Sequence, residues 1–404
     1  MKRIAVLGSG TAGLHLSYAL VNSGAFQVTV YTDRTPEEVK RGRVSSTQVH
    51  FGPARAREAA YGMPLWEAGP ELESIHVTVG GQKLFTGGLV HPAKSVDQRA
   101  YFFRCMKDLE AKGVSFVYGR VDEERLQELA RAYDLIVDCS GKRGPIAPFP
   151  QIGELSPVTT PQRKCSAGYF HGVVPLEPAG VSITILPGAG ELFEIPALTA
   201  LGPVTILFIE SVPGGPLDVF GGIKDPESFR DRMRAVVDRH FPAVAARVDG
   251  EHFGLCDERG FVQIAVQPAV HRPYCTVGGT LVLGCGDSVV LNDPITGQGC
   301  NTASYCAEQL VRTLTEEPVG PWDERTGEAY WKRIRDYVTE VTQWSNAMMG
   351  PLPDHAVGRL MAAAADPAAA DRIAGWFADP ATAYEDLFRS AAGTKEQAER
   401  QGGL

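Results

Sequence analysis

The sequence lacks the features by which membrane, disulfide-rich and nucleic-acid-binding proteins are usually identified. It contains no apolar run long enough to span a bilayer, so no membrane partner is expected. Its eight cysteines are scattered without a CxxC pair, which predicts reduced thiols rather than a zinc site or a disulfide framework. The formal net charge of −9 argues against nucleic acid and anionic membranes as partners.

Neither a signal peptide nor an internal repeat is expected from the sequence. An apolar strand pattern begins at Arg3, which leaves no room for a signal peptide and, with reduced thiols, predicts a cytoplasmic protein. The 404 residues are 44% hydrophobic and 22% charged, a composition typical of a globular protein of two or three domains. The motifs, rather than the composition, must therefore indicate the function.

The N-terminal segment carries a dinucleotide-binding pattern. Residues 3–7 form an apolar run typical of a buried parallel strand. Gly8 then permits a tight turn, Gly10 lets the backbone approach a pyrophosphate, and Gly13 lets a helix pack on the strand. A helix over residues 14–22 and a strand over residues 28–31 complete a βαβ unit, which makes a glycine turn without a ligand the weaker alternative. The residues assigned to cofactor binding here are Gly8, Gly10, Thr11, Ala12 and Gly13.

The residue that would hold the adenosine ribose stays open between two neighbours. An acidic residue is expected at the end of the second strand. Thr32 occupies that position and Asp33 follows it, so Asp33 binds the ribose from one residue later or Thr32 binds it more weakly. Arg34 is placed near the adenosine side, and a solvated loop charge is its alternative interpretation.

A second glycine-rich segment, residues 284–301, lies near the other end of the chain. A buried strand predicted over residues 280–283 leads into it, and Asp287 follows closely. A carboxylate at this place can accept hydrogen bonds from ribityl hydroxyls, although a simple turn carboxylate is the alternative. Pro294 shapes the loop, and two glycines leave the backbone bare beside a flat ring. The other positions assigned to the cofactor here are Gly286, Gly297, Gly299 and Asn301.

A helix predicted over residues 298–314 follows this loop. A helix N-terminus carries a partial positive charge and free N–H groups, which would favour an anionic reduced flavin ring. A plain NAD-binding domain has no need for a second cluster of this kind. Two clusters at opposite ends of the chain therefore predict one long cofactor, FAD, held by both.

The ordered set of motifs resembles the flavoprotein monooxygenases built on the para-hydroxybenzoate hydroxylase fold. The closer resemblance is to the two-component styrene and indole monooxygenases, and it covers nearly the whole chain. The stretches that carry it are Gly8-x-Gly10-x-x-Gly13, residues 28–34, Pro161-Gln-Arg163, Gly190-Glu191, Glu194-Ile-Pro196, Gly286-Asp287, Asp293-Pro-x-x-Gly-Gln-Gly-x-Asn301, Ala303-Ser-Tyr305, Gln343-Trp344 and Asn346.

The resemblance implies a fold and a chemistry. The fold is α/β, with a Rossmann-type FAD-binding domain, a β-sheet substrate domain and C-terminal helices. An NADH-dependent flavin reductase supplies reduced FAD, and O2 is the co-substrate. Oxygen passes from a flavin C4a-hydroperoxide to an aromatic alkene or an indole-like ring and gives an epoxide. No acid–base triad is required, because the cofactor makes the bonds.

One absent motif favours the reductase-dependent branch. Single-component relatives carry an Asp-Gly pair in mid-chain, whereas this chain has Cys139-Ser-Gly-Lys142, which resembles the two-component family. A strand followed by a glycine turn explains the same residues without a function. N- or S-oxygenation by the same intermediate, and a non-catalytic flavoprotein-fold binding module, are the alternative functions. A homodimer stays open.

The domain division follows the same motifs. The FAD-binding domain is expected to be discontinuous, over residues 1–43, 97–150 and 270–315. The substrate domain takes residues 44–96 and 151–269, where strand-rich runs occur. Residues 316–404 form a C-terminal helical region whose last ten or so residues are polar and expected to be mobile. Three cysteines inside the motifs are expected to be buried: Cys139, Cys285 and Cys300.

The substrate pocket is assigned from the family pattern. The pocket candidates are Arg43, Thr47, His50, His76 and Asn301, of which Arg43 and Asn301 are also cofactor candidates. Core histidines with satisfied hydrogen bonds are the alternative for His50 and His76. Arg99, at the start of a helix over residues 99–109, is placed on FAD, with a helix-terminal charge as the alternative. Four positions depart from the family: Ser46, Gln48, Glu73 and Ala93. These departures indicate a larger or more polar aromatic substrate than styrene.

Overall fold

Two large β-sheets with surrounding helices make up residues 1–316 and 321–389, the part of the chain that the computed structural model describes. The C-terminal tail expected to be mobile lies outside these residues, as does the end of the predicted helical region. Within the described ranges, no helix combines the length and the apolar character needed to cross a membrane.

The strands are short and occur mainly before residue 292. In chain order they are β1 Lys2–Leu7, β2 Phe26–Thr32, β3 Leu72–Val79, β4 Gln82–Ala93, β5 Ser115–Tyr118, β6 Leu135–Asp138, β7 Lys164–His171, β8 Gly180–Leu186, β9 Gly190–Thr199, β10 Gly202–Ser211, β11 Gly254–Leu255, β12 Phe261–Ala265, β13 Ala269–Val270, β14 Tyr274–Val277, β15 Thr280–Gly284 and β16 Val290–Leu291.

The helices separate the strands and then dominate the C-terminal part. In chain order they are α1 Thr11–Ser23, α2 Pro36–Lys40, α3 Gly52–Ala60, α4 Gln98–Ala111, α5 Glu123–Ala132, α6 Pro226–His240, α7 Pro242–Ala245, α8 Gly299–Glu316, α9 Glu324–Met348, α10 Asp354–Ala362, α11 Pro367–Gly375 and α12 Pro380–Tyr384. Single 3₁₀ turns lie at Gly153–Leu155, Gly286–Ser288 and Pro294–Thr296.

The first sheet has the strand order β14-β15-β6-β1-β2-β5. Its strands pair in parallel except for the β14–β15 hairpin. Residues 4–7 of β1 are at most 1% exposed, as expected for a parallel strand covered on both faces. The parallel pairing brings the carboxyl ends of β1, β6 and β15 to one edge of the sheet, where ligands bind in open α/β sheets.

The second sheet has the order β11-β7-β10-β9-β8-β3-β4, with β12 also paired to β7. Alternate residues of β10 enter two different cores, as the two-residue period of a strand requires. Ile206 and Phe208 pack in the core that contains Trp344 and Trp376 of the C-terminal region. Leu207 and Ile209 pack instead in the core that contains Phe229 of α6. The sheet is therefore covered on both faces.

The predicted elements of the first sheet are confirmed with small changes at their ends. The helix predicted over residues 14–22 begins earlier, at Thr11, because the turn ends at Gly10. The helix predicted over residues 298–314 is α8, and that over residues 99–109 is α4. The strand-rich description of residues 44–96 and 151–269 was incomplete, since these ranges also contain α3, α6 and α7. The domain boundaries themselves stay a prediction.

Candidate functional site

The turn between β1 and α1 is built by two glycines that have no room for a side chain. Gly8 has φ +112°, and a Cβ on it would lie 2.3 Å from the Cys139 carbonyl oxygen. Its N–H donates to the Tyr31 carbonyl oxygen at 2.7 Å. A Cβ on Gly13 would lie 2.0 Å from the Gly8 carbonyl oxygen. Both glycines are therefore required by the packing of the protein itself.

Gly10 differs from its two neighbours in the motif. Its φ is −79°, and a Cβ there would meet no atom within 4 Å, so nothing in the protein requires a glycine. No side chain caps α1 at Gly10, and the first turn of α1 has no acidic residue. Open space in front of free N–H groups and a positive helix end fits a pyrophosphate.

The two glycine clusters meet directly. Gly286 has φ +74°, and a Cβ on it would lie 2.6 Å from the Ala12 Cβ and 3.6 Å from the Ala303 Cβ. The neighbouring backbone is tied across the strand ends, because Cys285 N–H donates to the Asp138 carbonyl oxygen at 2.9 Å. The start of α1 and the segment after β15 therefore form one continuous surface.

Asp138, at the end of β6, holds the adjoining loop and was not singled out from the sequence. It is fully buried. Its Oδ1 accepts a hydrogen bond from Ser140 N–H at 3.0 Å, and its Oδ2 accepts from Ile146 N–H at 2.6 Å and Ala147 N–H at 3.0 Å. The sequence did contain a signal for this role, namely an acidic residue at the end of the otherwise apolar strand β6. The carboxylate shapes the loop that carries Lys142.

Asp287 and Lys142 face each other across the second cluster. The partly exposed Asp287 carboxylate accepts no hydrogen bond from the residues that the structure describes. Desolvation raises the pKa of Asp287, and the Lys142 ammonium opposes that shift. Burial likewise lowers the pKa of Lys142, whose Nζ donates to the Ser45 carbonyl oxygen at 2.5 Å. A carboxylate with free acceptor capacity at this place fits a polyhydroxyl chain.

The loop before α8 leaves its backbone uncovered. Pro294 opens the 3₁₀ turn Pro294–Thr296, and Asp293 caps that turn by accepting a hydrogen bond from Ile295 N–H at 3.1 Å. Gly297 has φ +64°, and a Cβ there would meet no atom within 4 Å. A Cβ on Gly299 would meet only Asp287 Oδ1, at 3.8 Å. Space therefore lies beside the backbone just where a flat ring was predicted to sit.

Asn301 joins α8 to the segment before α3. Its Oδ1 accepts a hydrogen bond from Phe51 N–H at 3.0 Å, and its Nδ2 donates to the carbonyl oxygens of Val49 at 3.0 Å and Gly297 at 3.1 Å. The amide is occupied by backbone groups on both sides. Asn301 therefore positions His50, which lies between Val49 and Phe51, against the first turn of α8.

The candidates for the adenosine end lie at the carboxyl end of β2. Thr32 is buried, and its Oγ1 lies 2.8 Å from Ser9 Oγ in the glycine turn. Asp33 and Arg34 are exposed and lie close to each other, with 3.6 Å between Asp33 Oδ1 and Arg34 Nε. Thr32 is thus connected to the glycine turn through Ser9. Whether Thr32 or Asp33 binds the adenosine ribose stays a prediction.

The predicted arginine contacts have protein partners in this structure. The Arg99 guanidinium lies between two carboxylates, at 2.6 Å from Asp97 Oδ2 and 2.8 Å from Asp257 Oδ2. Burial disfavours the charge of Arg99, but the hydrogen bonds to Asp97 and Asp257 outweigh it and raise the pKa of Arg99. Arg43 is exposed and lies over the Phe261 ring at 5.1 Å. Thr47 is partly buried in the same segment.

His76 matches the core-histidine alternative. It is fully buried in β3, with Nε2 2.8 Å from the Pro178 carbonyl oxygen and Nδ1 3.0 Å from Thr86 Oγ1. Burial lowers the pKa of His76. Both ring nitrogens therefore have hydrogen-bond partners within the protein.

The positions that depart from the family differ in their surroundings. The Gln48 amide is buried and satisfied, because Nε2 donates to the Val96 carbonyl oxygen at 3.3 Å and Oε1 lies 3.4 Å from Gln98 Nε2. Glu73 is exposed, whereas Ala93 is fully buried. Ser46 is partly buried, and its carbonyl oxygen accepts from the Tyr169 hydroxyl at 3.4 Å. Both polar atoms of the Gln48 amide therefore have hydrogen-bond partners within the protein.

A buried polar cluster around His50 was missed in the sequence. Glu58 on α3 accepts hydrogen bonds from His50 Nδ1 and, at 2.6 Å, from the Tyr101 hydroxyl. Tyr101 also lies 3.0 Å from His15 Nε2. These residues come from α1, α3, α4 and the segment before α3. No local sequence pattern therefore predicts that they form a cluster. Their closeness is explained by the shared carboxylate.

The cluster holds its histidines in different charge states. Burial disfavours the charge of His50, but Glu58 and Cys300 outweigh it and raise the pKa of His50 to about 10. Burial lowers the pKa of His15 to about 4 despite the same carboxylate. Burial opposes the Glu58 charge, yet His50 lowers the pKa of Glu58 to about 2. The pair of His50 and Glu58 is therefore an ion pair at neutral pH.

Comparison with known proteins identifies similar sequences over most of the chain. Residues 141–247 match the family model described as "Styrene monooxygenase A putative substrate binding domain". The styrene monooxygenase StyA of Pseudomonas sp is 36% identical over 362 residues, which are 87% of this chain and 86% of that protein. The StyA of Pseudomonas fluorescens has the same identity and coverage.

Solved structures share the fold at low sequence identity. The flavin-dependent brominase Bmp2 matches with a TM-score of 0.63 at 17% identity, over 98% of this chain and 99% of that chain. PqsL of Pseudomonas aeruginosa, described as a probable FAD-dependent monooxygenase, matches with a TM-score of 0.63 at 16% identity, over 90% and 99% of the two chains. The predicted α/β flavoprotein fold is confirmed.

The ion pair predicts how His50 contributes to stability as pH changes. Its pKa rises from 6.5 when unfolded to about 10 when folded, so its contribution is full below 6.5 and is lost as pH rises towards 10. His50→Gln should lower the free energy of unfolding by about 3–5 kcal/mol at the acidic end of this window. Urea unfolding across the window should show that deficit shrinking towards alkaline pH.

His76→Gln is the matched control. The folded pKa of His76 is lowered, so its contribution is present above the unfolded pKa and is lost only as pH falls. Its deficit should not shrink across the same alkaline window. A His50→Gln deficit that stays constant from pH 6.5 to about 10 would show that His50 carries no charge in the folded protein.

Proposed function

The chain belongs to the styrene monooxygenase family and is an FAD-dependent monooxygenase, and from this premise we propose that it is the oxygenase component of a two-component system. It epoxidises a small aromatic alkene or an indole-like ring with O2 as co-substrate. The observation that carries the proposal is the junction of the two glycine clusters, where a Cβ on Gly286 would lie 2.6 Å from Ala12 Cβ while Gly10 and Gly297 face open space.

The residues around the junction fit FAD in a definite order. The uncapped start of α1, with Gly10, Thr11 and Ala12, holds the pyrophosphate, since free N–H groups and the helix dipole favour an anion. The Asp287 carboxylate holds the ribityl hydroxyls. Thr32 or Asp33 holds the adenosine ribose, and Arg34 lies near the adenosine side. Bound reduced FAD supplies the chemistry that activates dioxygen.

The isoalloxazine end is placed beside the loop before α8. Gly286, Pro294, Gly297 and Gly299 shape the backbone there, and the N-terminus of the 18-residue α8 favours negative charge on a reduced ring. Asn301 keeps the loop in place through its three backbone hydrogen bonds. The contribution of these residues is orientation of the ring and exclusion of water.

Electrons are supplied by a separate NADH-dependent flavin reductase. The loop after β6 carries Lys142 in place of an Asp-Gly pair, and that lysine is tied to Ser45 and faces Asp287. Arg99 is engaged by Asp97 and Asp257, so a contact between Arg99 and arriving FAD requires exchange of these partners. This arrangement suits a cofactor that arrives reduced and leaves oxidised better than one held permanently.

The substrate is bound between the FAD-binding domain and a substrate domain that we place at residues 44–96 and 151–269. The match of residues 141–247 to a substrate-binding family model supports this placement. Arg43, Thr47 and His50 form the wall next to the ring. The amide of Gln48 is already satisfied by Val96 and Gln98, so placing an apolar alkene beside it costs less than placing one beside an unpaired amide.

The first prediction of this proposal concerns FAD capture. Asp287→Ala should weaken binding of reduced FAD by about 1.5–3 kcal/mol, because the ribityl hydroxyls lose a charged acceptor. Gly10→Val should weaken it more, because the side chain enters the pyrophosphate approach, while its Cβ meets no other protein atom within 4 Å. Anaerobic titration of reduced FAD measures both. Asp231→Ala, at an exposed position of α6, is the control, and unchanged affinity in both test variants would remove the assignment.

The second prediction concerns electron supply and product. The purified chain should not oxidise NADH at a useful rate alone, and chemically reduced FAD with O2, or an added flavin reductase, should start turnover. Product analysis with styrene, indole and a thioether then identifies the oxygenated group. Rapid NADH oxidation without a reductase would contradict the two-component assignment. Sulfoxide as the main product would replace epoxidation by heteroatom oxygenation, and the absence of any product would favour a binding module.

A further inference from the structure

A buried carboxyl group without a donor lies on the second sheet. Glu210, near the end of β10, is fully buried. No N–H or O–H group within residues 1–316 and 321–389 donates to either of its carboxyl oxygens. Burying an isolated carboxylate is so costly that such a group is paired with a cation or takes up a proton. Glu210 therefore needs one or the other.

The arginine next to Glu210 is already engaged. Glu191 on β9 lies directly opposite Glu210 in the strand pairing. Arg163 binds this neighbour through two hydrogen bonds, from Nε to Glu191 Oε2 at 2.8 Å and from Nη2 to Oε1 at 3.0 Å. Its Nη1 donates to the carbonyl oxygens of Gln162 at 3.1 Å and Met349 at 3.4 Å. One guanidinium thus neutralises only one of two adjacent glutamates.

Asp293 has the matching deficiency. It lies in the loop before α8 and is 2% exposed, and its Oδ1 accepts a hydrogen bond from Ile295 N–H at 3.1 Å. Its Oδ2 receives none from the part of the chain that the structure describes. As two carboxylates, Glu210 and Asp293 would offer each other only acceptors and would repel. A proton on one of them supplies the donor that both lack, and a hydrogen bond then joins the two side chains.

The surroundings decide which group keeps the proton. Burial, together with the charges of Asp293 and Glu191, raises the pKa of Glu210 well above its ordinary value. Burial raises the pKa of Asp293 only to about 6, because a backbone N–H and Arg163 oppose the shift. Cys165 on β7 also faces the pair, and burial raises the pKa of its thiol. At neutral pH Glu210 is therefore the acid and Asp293 the carboxylate.

We propose that Glu210 is a positioning residue, which stays a neutral carboxylic acid and donates its O–H to Asp293 Oδ2, and that it thereby fixes the loop that faces the flavin ring. Asp293 in turn caps the turn Pro294–Thr296, which ends at Gly297. The second sheet is thus connected to the loop before α8 through a single proton. The role toward flavin rests on the proposed function, whereas the protonated state of Glu210 does not.

The first measurement uses the flavin-free full-length chain. Infrared difference spectroscopy compares the wild type with Glu210→Gln at neutral pH. The C=O stretch of a carboxylic acid lies at higher frequency than the stretches of a carboxylate, so the wild type should show an acid band that this variant lacks. Glu194→Gln is the matched control, because Glu194 is a buried glutamate of the same sheet to which Arg247 donates. Its substitution should leave the band in place.

The pH dependence of stability gives a second test. The folded pKa of Glu210 lies above its unfolded value of 4.5, so above pH 4.5 the folded chain keeps a proton that the unfolded chain releases. This group therefore lowers wild-type stability as the pH rises. Glu210→Gln has no such proton, and its urea midpoint relative to the wild type should rise between pH 4.5 and neutrality. The relative midpoint of Glu194→Gln should not.

The positioning role is tested by anaerobic titration of reduced FAD. Glu210→Gln keeps an N–H donor for Asp293 and should bind FAD as the wild type does. Glu210→Leu removes the donor and should weaken binding about tenfold, because the Asp293 carboxylate loses a hydrogen bond. Circular dichroism confirms that each variant is folded. The infrared and pH measurements, which need only the isosteric Glu210→Gln, decide if Glu210→Leu is not.

Three results would overturn the proposal. An acid band that persists in Glu210→Gln would show that Glu210 carries no proton. A relative urea midpoint of Glu210→Gln that falls as the pH rises would show an ionised group stabilised by Arg163. Wild-type FAD affinity in folded Glu210→Leu would reject the positioning role. Since the first two measurements need no flavin, a wild-type chain that binds no FAD contradicts the proposed function and leaves the proton on Glu210 measurable.

Discussion

The close approach of the two glycine clusters is the constraint on which the rest of the site depends. Gly286 lies so near Ala12 that a Cβ on it would be 2.6 Å from the alanine methyl carbon, and Gly8 lies equally tightly against the Cys139 carbonyl oxygen, at 2.3 Å. Strand pairing holds the carboxyl ends of β1, β6 and β15 side by side, and at this edge the glycines let the two clusters pack against each other. Only with that edge closed do the open positions at Gly10 and Gly297 belong to one surface.

A second connection joins this edge to the segment that leads into α3. The Asn301 side-chain amide forms hydrogen bonds with the backbone of Phe51, Val49 and Gly297. These bonds fix the position of His50, which lies between Val49 and Phe51. The ion pair between His50 and Glu58 is then buried, and a buried pair is strongly destabilised when one partner is removed. The loop before α8, the segment before α3 and the buried ion pair are therefore connected through one amide, and a substitution in one of them is expected to shift the others.

The sequence allowed prediction of the features that local backbone geometry requires. Gly8 and Gly13 could be assigned because a strand, a tight turn and a helix in succession leave no space for side chains, and Asp287 because it follows a buried strand. Glu58, Tyr101 and His15 could not be predicted, because three separate segments bring them together and none shows a periodic pattern. The satisfied amide of Gln48 and the partial exposure of Cys300 depend likewise on distant partners. The fold was thus more predictable than the pocket.

The most direct test of the account is a double-mutant cycle across the junction, measured as the dissociation constant of reduced FAD. Gly286→Ala should weaken binding at least about tenfold, because the new methyl group collides with Ala12 and separates α1 from the second cluster. Ala12→Gly removes the atom that is hit, so the double variant should recover part of the loss, with a coupling energy of about 1 kcal/mol or more. Strictly additive effects, or wild-type affinity in Gly286→Ala, would contradict a single cofactor site built from both ends of the chain.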